Sequence, residues 1–441
     1  MTTSARHRGS TPRDGRAQAR PAFRRGPGGP RRLRTVALVA AVVLVAAVGV
    51  VAVIRAATAG SATKHPPAAG RAPAGSGKAG SGGAGKVRPS TPGAAALPKL
   101  SPAQLAGQRV IYSYAGLTPP GSLLRWIRQG EVAGVIFFSQ NIASEPQIAS
   151  VIAELNRANA SARNPLRKFP LLLMTDQEGG EVRRLPGQPV LSEKEIGESA
   201  HPAAAARAAG TGAGENLRGV GMNVNLAPVL DVYRSPGDFD DQFQRSYSMN
   251  PHVVSRLGAN FIKAQQATGV AATAKHFPGL GAASAAQNTD ERPVTLHVPL
   301  NDLRTIDEYP YRAAIAGGVK LVMVSWAIYP ALDPKLPAGL SPTIVGGELR
   351  QRLGFTGVTI TDALEAGALQ PFGTIRNRAR MAAAAGMDLI LCSAQKDTEG
   401  GQARIALDKA YQDGTLGKAA FQAAVQRILA LKAGLKAGPS H

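Results

Sequence analysis

Eight short apolar segments recur along this chain, separated by helix-forming stretches, and that alternation restricts the folds open to it. The segments are Val110–Tyr114, Gly134–Phe138, Leu171–Thr175, Val224–Ala227, Ala272–Lys275, Leu321–Ser325, Val358–Thr361 and Leu389–Cys392. Between them lie Ala-rich amphipathic runs such as Gln147–Ala160, His252–Ala267 and Asn377–Ala385. Strand and helix patterns in alternation imply a parallel sheet, and eight repeats favour an α/β fold closed as a (β/α)8 TIM-type barrel over an open sheet. No glycine fingerprint follows the first segment, which weighs against a dinucleotide-binding fold. A last amphipathic run, Ala419–Ala433, is apolar at Phe421, Val425, Ile428, Leu429 and Leu431 and reads as a closing helix.

In such a barrel the C-terminal strand ends open onto one mouth, so polar residues there read as catalytic. Asp362 directly follows Gly357-Val-Thr-Ile-Thr361, Asp176 follows Leu171-Leu-Leu-Met-Thr175, and Lys275-His276 closes the fifth segment. Three polar strand ends converging on one mouth are what an enzyme needs.

The front of the chain has a different composition. Residues 1–34 hold ten arginines and a single acid, Asp14, with no apolar periodicity. Such a stretch cannot bury enough surface to offset its ordering entropy and reads as a disordered cytoplasmic arm. Residues 35–54 carry no charge and are mostly Val, Ala and Leu; twenty such residues span about 30 Å as a helix. The arginine-rich flank stays cytoplasmic, which puts the chain beyond residue 54 outside the cell. A cleaved export signal is the competing reading, since Ala56-Ala-Thr-Ala59 resembles a cleavage region, but a signal core is normally shorter. The barrel is exported on either reading, held by a single span or released near it. Residues 55–98 are low-complexity Ala, Gly, Pro, Ser and Lys, a flexible linker. The barrel occupies residues 99–436, beginning near Ser101, a helix cap.

Charge obeys the same partition. Residues 1–98 carry a net +15 of the chain's +22, leaving +7 on the remaining residues. The folded part shows no basic stripe for a specific nucleic acid, and attraction of the arm to anionic lipid is the simpler account. Cys392 is the only cysteine, which excludes an intramolecular disulfide and CxxC-type zinc sites; its apolar surroundings suit a buried, inert thiol. There is no His-Glu-x-x-His, and neither a metal nor a nucleotide cofactor is implied.

Four motifs in order carry a family resemblance. Gly134-Val-Ile-Phe-Phe138, Thr175-Asp-Gln-Glu-Gly-Gly180, Asn225-Leu-Ala-Pro-Val-Leu-Asp-Val232 and Lys275-His-Phe-Pro-Gly-Leu-Gly281, with Arg245-Ser-Tyr247 between the last two, resemble the N-terminal catalytic domain of glycoside hydrolase family 3. The single-domain β-N-acetylhexosaminidases are the most similar branch, and the likeness runs from about Leu100 to Leu435. The resemblance implies a monomeric, retaining β-glycosidase acting on N-acetylglucosamine-type glycosides of wall polymers. It implies Asp362 as the nucleophile, and Asp176, Arg245, Lys275 and His276 as the residues that hold the sugar.

One part of the pattern is missing. The resembled enzymes carry an Asp-Ser-His after the fifth strand whose histidine is the acid/base; here Ala286-Gln287-Asn288 stands in its place. An amide cannot donate a proton and take it back, and His297 lies too far along to substitute. Asp290 and Glu291 come next on the same loop, expected to be mobile, and either could swing in as the acid, Asp290 ahead of Glu291. Three readings therefore stand: a glycosidase with an altered acid/base, a tethered receptor that binds wall sugars or muropeptides without turnover, and a transglycosidase or enzyme of activated substrates only.

Overall fold

The computed structural model describes residues 98–435. Eight strands form one all-parallel sheet: β1 Val110–Tyr112, β2 Gly134–Ile136, β3 Leu172–Thr175, β4 Val224–Asn225, β5 Ala271–Phe277, β6 Leu321–Val324, β7 Val358–Thr361 and β8 Ile390–Leu391. Each pairs with its neighbour in sequence, and β8 returns to β1 with Ile390 opposite Val110. The ring closes between β7 and β8, where Thr361 N–H donates to Leu389 O at 3.0 Å and Leu389 N–H to Thr359 O at 2.9 Å. This is the predicted (β/α)8 barrel. All eight segments expected as strands lie in it: β7 has the expected bounds, β5 runs on through Phe277, and the other six are shorter at one or both ends.

Alternation along the strands sorts the core into two compartments, because successive side chains point to opposite faces. Ile111, Ile136, Leu172, Met174, Val224, Ala271, Leu321, Met323, Val358, Ile360 and Leu391 fill the interior. Val110, Tyr112, Val135, Leu173, Ala272, Val322 and Val324 face the helices. Each fully buried Leu, Ile, Val or Met contributes about 1.5–3 kcal/mol. The closing helix forms as Lys418–Gly434 and sends Ile428 and Leu431 into the interior compartment from the N-terminal end of the strands.

That end is also locked electrostatically. Asp388, fully buried just before β8, accepts from Arg350 at 2.6 Å, Arg427 at 2.7 Å and the Thr359 N–H at 2.9 Å. At the entrance to the domain, Ser101 caps helix Pro102–Gly107 as predicted, with Gln104 completing a capping box. Cys392 is buried, and burial raises its thiol pKa well above the ordinary range. Among the described residues no helix is long and apolar enough to cross a membrane. The predicted span at residues 35–54 and the arm before it lie outside the described residues.

Candidate active site

Strand parity carries the polar ends inward. Leu172 and Met174 are interior residues, so Asp176 and Glu178, two and four further on, continue the same side. Ala271 gives Lys275 by the same count, and Val358 and Ile360 give Asp362. These side chains line a cavity of about 210 Å³ at the C-terminal mouth of the barrel, together with Arg245, His276, Phe239, Leu280, Asp290 and Ser393.

Four of its residues form a fixed ionic lattice. Lys275 Nζ lies 2.8 Å from Asp176 Oδ1 and 2.7 Å from Glu178 Oε1. Arg245 grips Glu178 with both arms, Nε to Oε2 at 2.8 Å and a terminal nitrogen to Oε1 at 2.9 Å. Burial alone would raise the Glu178 pKa; Arg245 and Lys275 reverse that and hold it below the ordinary carboxylate range. Burial would likewise discharge Lys275, and Asp176 with Glu178 keep its pKa raised. The lattice therefore presents a permanently charged donor and acceptor set, suited to neutral hydroxyls.

His276 is held differently. Its Nδ1 lies 2.7 Å from Asp231 Oδ2, while Asp231 Oδ1 accepts the backbone N–H of His276 at 3.2 Å and of Leu280 at 2.6 Å. Asp231 is an acceptor throughout, which assigns the ring proton to Nδ1 and leaves Nε2 as an acceptor, 3.5 Å from Arg245. Burial first and Arg245 second lower the imidazole to about 4. A ring that is neutral at pH 7, with its one proton held by Asp231, can orient a hydroxyl through Nε2 but has no proton there to give.

Asp231, Asp240 and His276 also place one ligand atom each within 4.8 Å of one another, all buried. A shared zinc would hold its ligands about 2 Å away and therefore more than about 3 Å apart. The 2.7 Å between His276 and Asp231 is instead the length of a hydrogen bond, so these groups hold a proton.

The glycosyl hydrolase family 3 N-terminal domain matches residues 113–431. An "uncharacterized secreted glycosyl hydrolase" of Arthroderma benhamiae is 46% identical over 333 residues, 75% of this chain and 93% of that one. The chain belongs to glycosyl hydrolase family 3. A β-hexosaminidase of Xylella fastidiosa is 31% identical over 292 residues, 64% of this chain and 82% of that protein. A family 3 β-N-acetylglucosaminidase from Paenibacillus sp. superimposes with a TM-score of 0.71 at 36% identity, over 76% of this chain. This chain spans 63% of that structure, less than two thirds of its length.

Within this family 3 barrel the two loop carboxylates part company. Asp290 is open to solvent on one side and lines the cavity on the other. Burial raises its pKa, with Glu365 and Asp176 adding to the effect against Arg245. Asp362, at the end of β7, accepts the Ala363 N–H at 2.7 Å and is raised by burial and by Asp290. Both line the same cavity, and the Asp290 charge opposes ionisation of Asp362. Glu291 is not brought to the cavity: its side chain is 59% exposed, pairs with Arg292 at 3.0 Å and accepts from Asn288 at 3.2 Å. His297 is exposed and outside the cavity, and Trp326 is buried behind it, donating Nε1–H to Ala363 O at 2.8 Å.

Sequence reasoning gave no role to Glu178, Asp231 or Asp240. Glu178 was within reach, since it repeats the parity of Asp176. Asp231 lies in a recognised motif but six residues past the end of β4 at Asn225, where parity no longer applies.

Proposed function

We propose that this protein is an exported, retaining β-N-acetylhexosaminidase in which Asp362 is the nucleophile and Asp290 the acid/base. The observation that carries the reading is that Asp290 and Asp362 line one cavity beside the lattice of Asp176, Lys275 and Arg245. A retaining enzyme needs one ionised carboxylate under the anomeric carbon and one protonated carboxyl over the leaving oxygen. Two carboxyls whose pKa values are raised in one cavity suit that arrangement, one with the proton and one without.

In the first step an Asp362 oxygen bonds the anomeric carbon as the glycosidic C–O bond breaks, and Asp290 passes its proton to the departing oxygen. In the second, the Asp290 carboxylate takes a proton from water while the water oxygen bonds the anomeric carbon. The bond to Asp362 breaks as that bond forms, restoring both groups. Lys275, Arg245 and Asp176 orient the ring hydroxyls, with the neutral Nε2 of His276 as a further acceptor. The small cavity suits one terminal sugar, which favours removal of end residues over cutting within a polymer. The secreted description of the Arthroderma relative supports an extracellular barrel. A helix at residues 35–54 as its membrane anchor belongs to the same proposal, with the linker at 55–98 and the barrel at 99–436.

The test is turnover of 4-nitrophenyl N-acetyl-β-glucosaminide by the full chain in detergent, beside Asp362→Ala and Asp290→Ala. Turnover in the parent that Asp362→Ala abolishes, with a covalent glycosyl-enzyme trapped by a slow fluorosugar, supports the enzyme. N-acetylglucosamine binding without turnover in the parent would leave the tethered receptor as the better reading.

A further inference from the structure

The loop that carries Asp290 is fastened on both flanks. Toward the chain after β4, Phe239 N–H donates to Ala283 O at 2.9 Å and Gln242 Nε2 to Ala285 O at 3.1 Å. On the other flank, Gly367 N–H donates to Asp290 O at 2.7 Å and Ala368 N–H to Thr289 O at 3.0 Å. Gly367 and Ala368 open the 3-10 helix Gly367–Phe372, five residues past Asp362 on the same connection after β7, so the acid-bearing and nucleophile-bearing segments share a backbone seam. The contact is tight enough to demand glycine. A Cβ at Gly367 would lie 2.1 Å from Glu291 O, 2.2 Å from Glu291 C and 2.8 Å from Arg292 N. The Gly367 φ is not in the left-handed region, so the requirement comes from the close approach and not from the backbone angle. Inside the loop, Asp290 N–H donates to Asn288 Oδ1 at 2.9 Å and Ser284 N–H to Gln287 Oε1 at 2.8 Å.

We propose that Gly367 is a positioning residue for the reaction: its backbone holds the Asp290 loop against the connection that follows Asp362, so the two carboxylates are set together without a closing movement. The inference rests on the Asp290 assignment above. It replaces a swinging acid by one seated before the substrate arrives. Any side chain at residue 367 must push the Glu291 backbone back by more than about 1 Å to restore ordinary contact, one peptide away from Asp290. Displacement on that scale costs a positioned catalytic group up to about a hundredfold.

The experiment uses the full chain with three N-acetyl-β-glucosaminides of falling leaving-group ability: 2,4-dinitrophenyl, 4-nitrophenyl and methyl. Only the poor leaving groups need the proton in the first step, so kcat/KM on the dinitrophenyl glycoside, which reports formation of the glycosyl-enzyme, gauges folded, otherwise intact sites. Asp290→Ala is expected to lose about a hundredfold or more in kcat/KM on the methyl glycoside and far less in formation of the glycosyl-enzyme from the dinitrophenyl one. Gly367→Ala is expected to show the same grading, about ten- to a hundredfold on methyl and under about threefold on dinitrophenyl. In the double variant it should add nothing to Asp290→Ala. If Gly367→Ala does not fold, Gln242→Ala removes one side-chain bond from the other flank and carries the test, with a graded loss of about fivefold. An even loss across the series in Asp290→Ala overturns the acid/base assignment itself. A graded loss there with an even loss, or none, in the Gly367 or Gln242 variant overturns the positioning role alone.

Discussion

Replacing Glu178 by glutamine tests the ionic lattice at its centre. Glu178 is 1% exposed and accepts from three cationic nitrogens, at 2.7, 2.8 and 2.9 Å. The amide keeps the shape but loses the charge, and its NH2 faces donors. Lys275 is left with Asp176 at 2.8 Å and Arg245 only with the longer Asp240 contact at 3.7 Å, so both buried cations lose their shared, closest counter-charge. Breaking a buried pair on one side costs about 3–5 kcal/mol; the two remaining acidic partners place this case at the lower end, near 3 kcal/mol. Because the folded pKa of Glu178 is depressed, its contribution is complete above the ordinary value of 4.5 and fades as pH falls below that. Urea unfolding, followed through the two tryptophans, should therefore show a gap of about 3 kcal/mol between parent and Glu178→Gln at pH 7. The gap should narrow steadily below pH 4.5. Sugar affinity should fall with it, since Lys275 and Arg245 lose their shared anchor. A variant as stable as the parent at pH 7, or a gap indifferent to acid, would refute the lattice as the organising element.

Three further outcomes are expected at single sites. Asp388→Ala removes the buried anchor of Arg350 and Arg427 and should cost about 3–5 kcal/mol by urea unfolding, while kcat per folded molecule stays unchanged. Asp240 is buried with no hydrogen-bond partner on either carboxyl oxygen, and burial, then Asp231, raise it to about 7. A raised carboxyl contributes stability in acid that is lost as pH rises through its folded pKa, so Asp240→Asn should gain on the parent by at least about 1.4 kcal/mol between pH 5 and 8.5; a gap that does not change with pH contradicts this. Glu291→Gln should keep kcat/KM within about threefold on every glycoside, whereas a loss matching Asp290→Ala would exchange the roles of the two residues.

The barrel was legible because periodicity is local: Leu172, Met174 and Asp176 reveal their common side from spacing alone, and so do Val358, Ile360 and Asp362. Of the strand-end residues named for the site, Asp176, Lys275 and Asp362 line its cavity for that reason. What spacing cannot disclose is who neutralises whom. Arg245 finds Glu178 across 67 residues and Lys275 finds Asp176 across 99, meetings made by barrel closure and not by any local pattern. The Asp290 loop, expected to move, is fastened by backbone bonds that leave no trace in side-chain identity. Their only sequence sign is a glycine between two alanines, Ala366-Gly367-Ala368, which looks ordinary until the loop beside it is seen.

The floor of the barrel is made from its last strand and closing helix. Ile428 and Leu431 stop the interior from below, β8 supplies the last seam against β1, and Lys432 reaches back 324 residues to Gln108. No shorter stretch of the barrel can hold that interior dry, because until those residues are present the Ile, Leu and Met side chains inside it open onto water. A polypeptide of this design stays unsealed until its closing helix is available. During synthesis it therefore remains an unfinished vessel, closed only by the part of the barrel that arrives last.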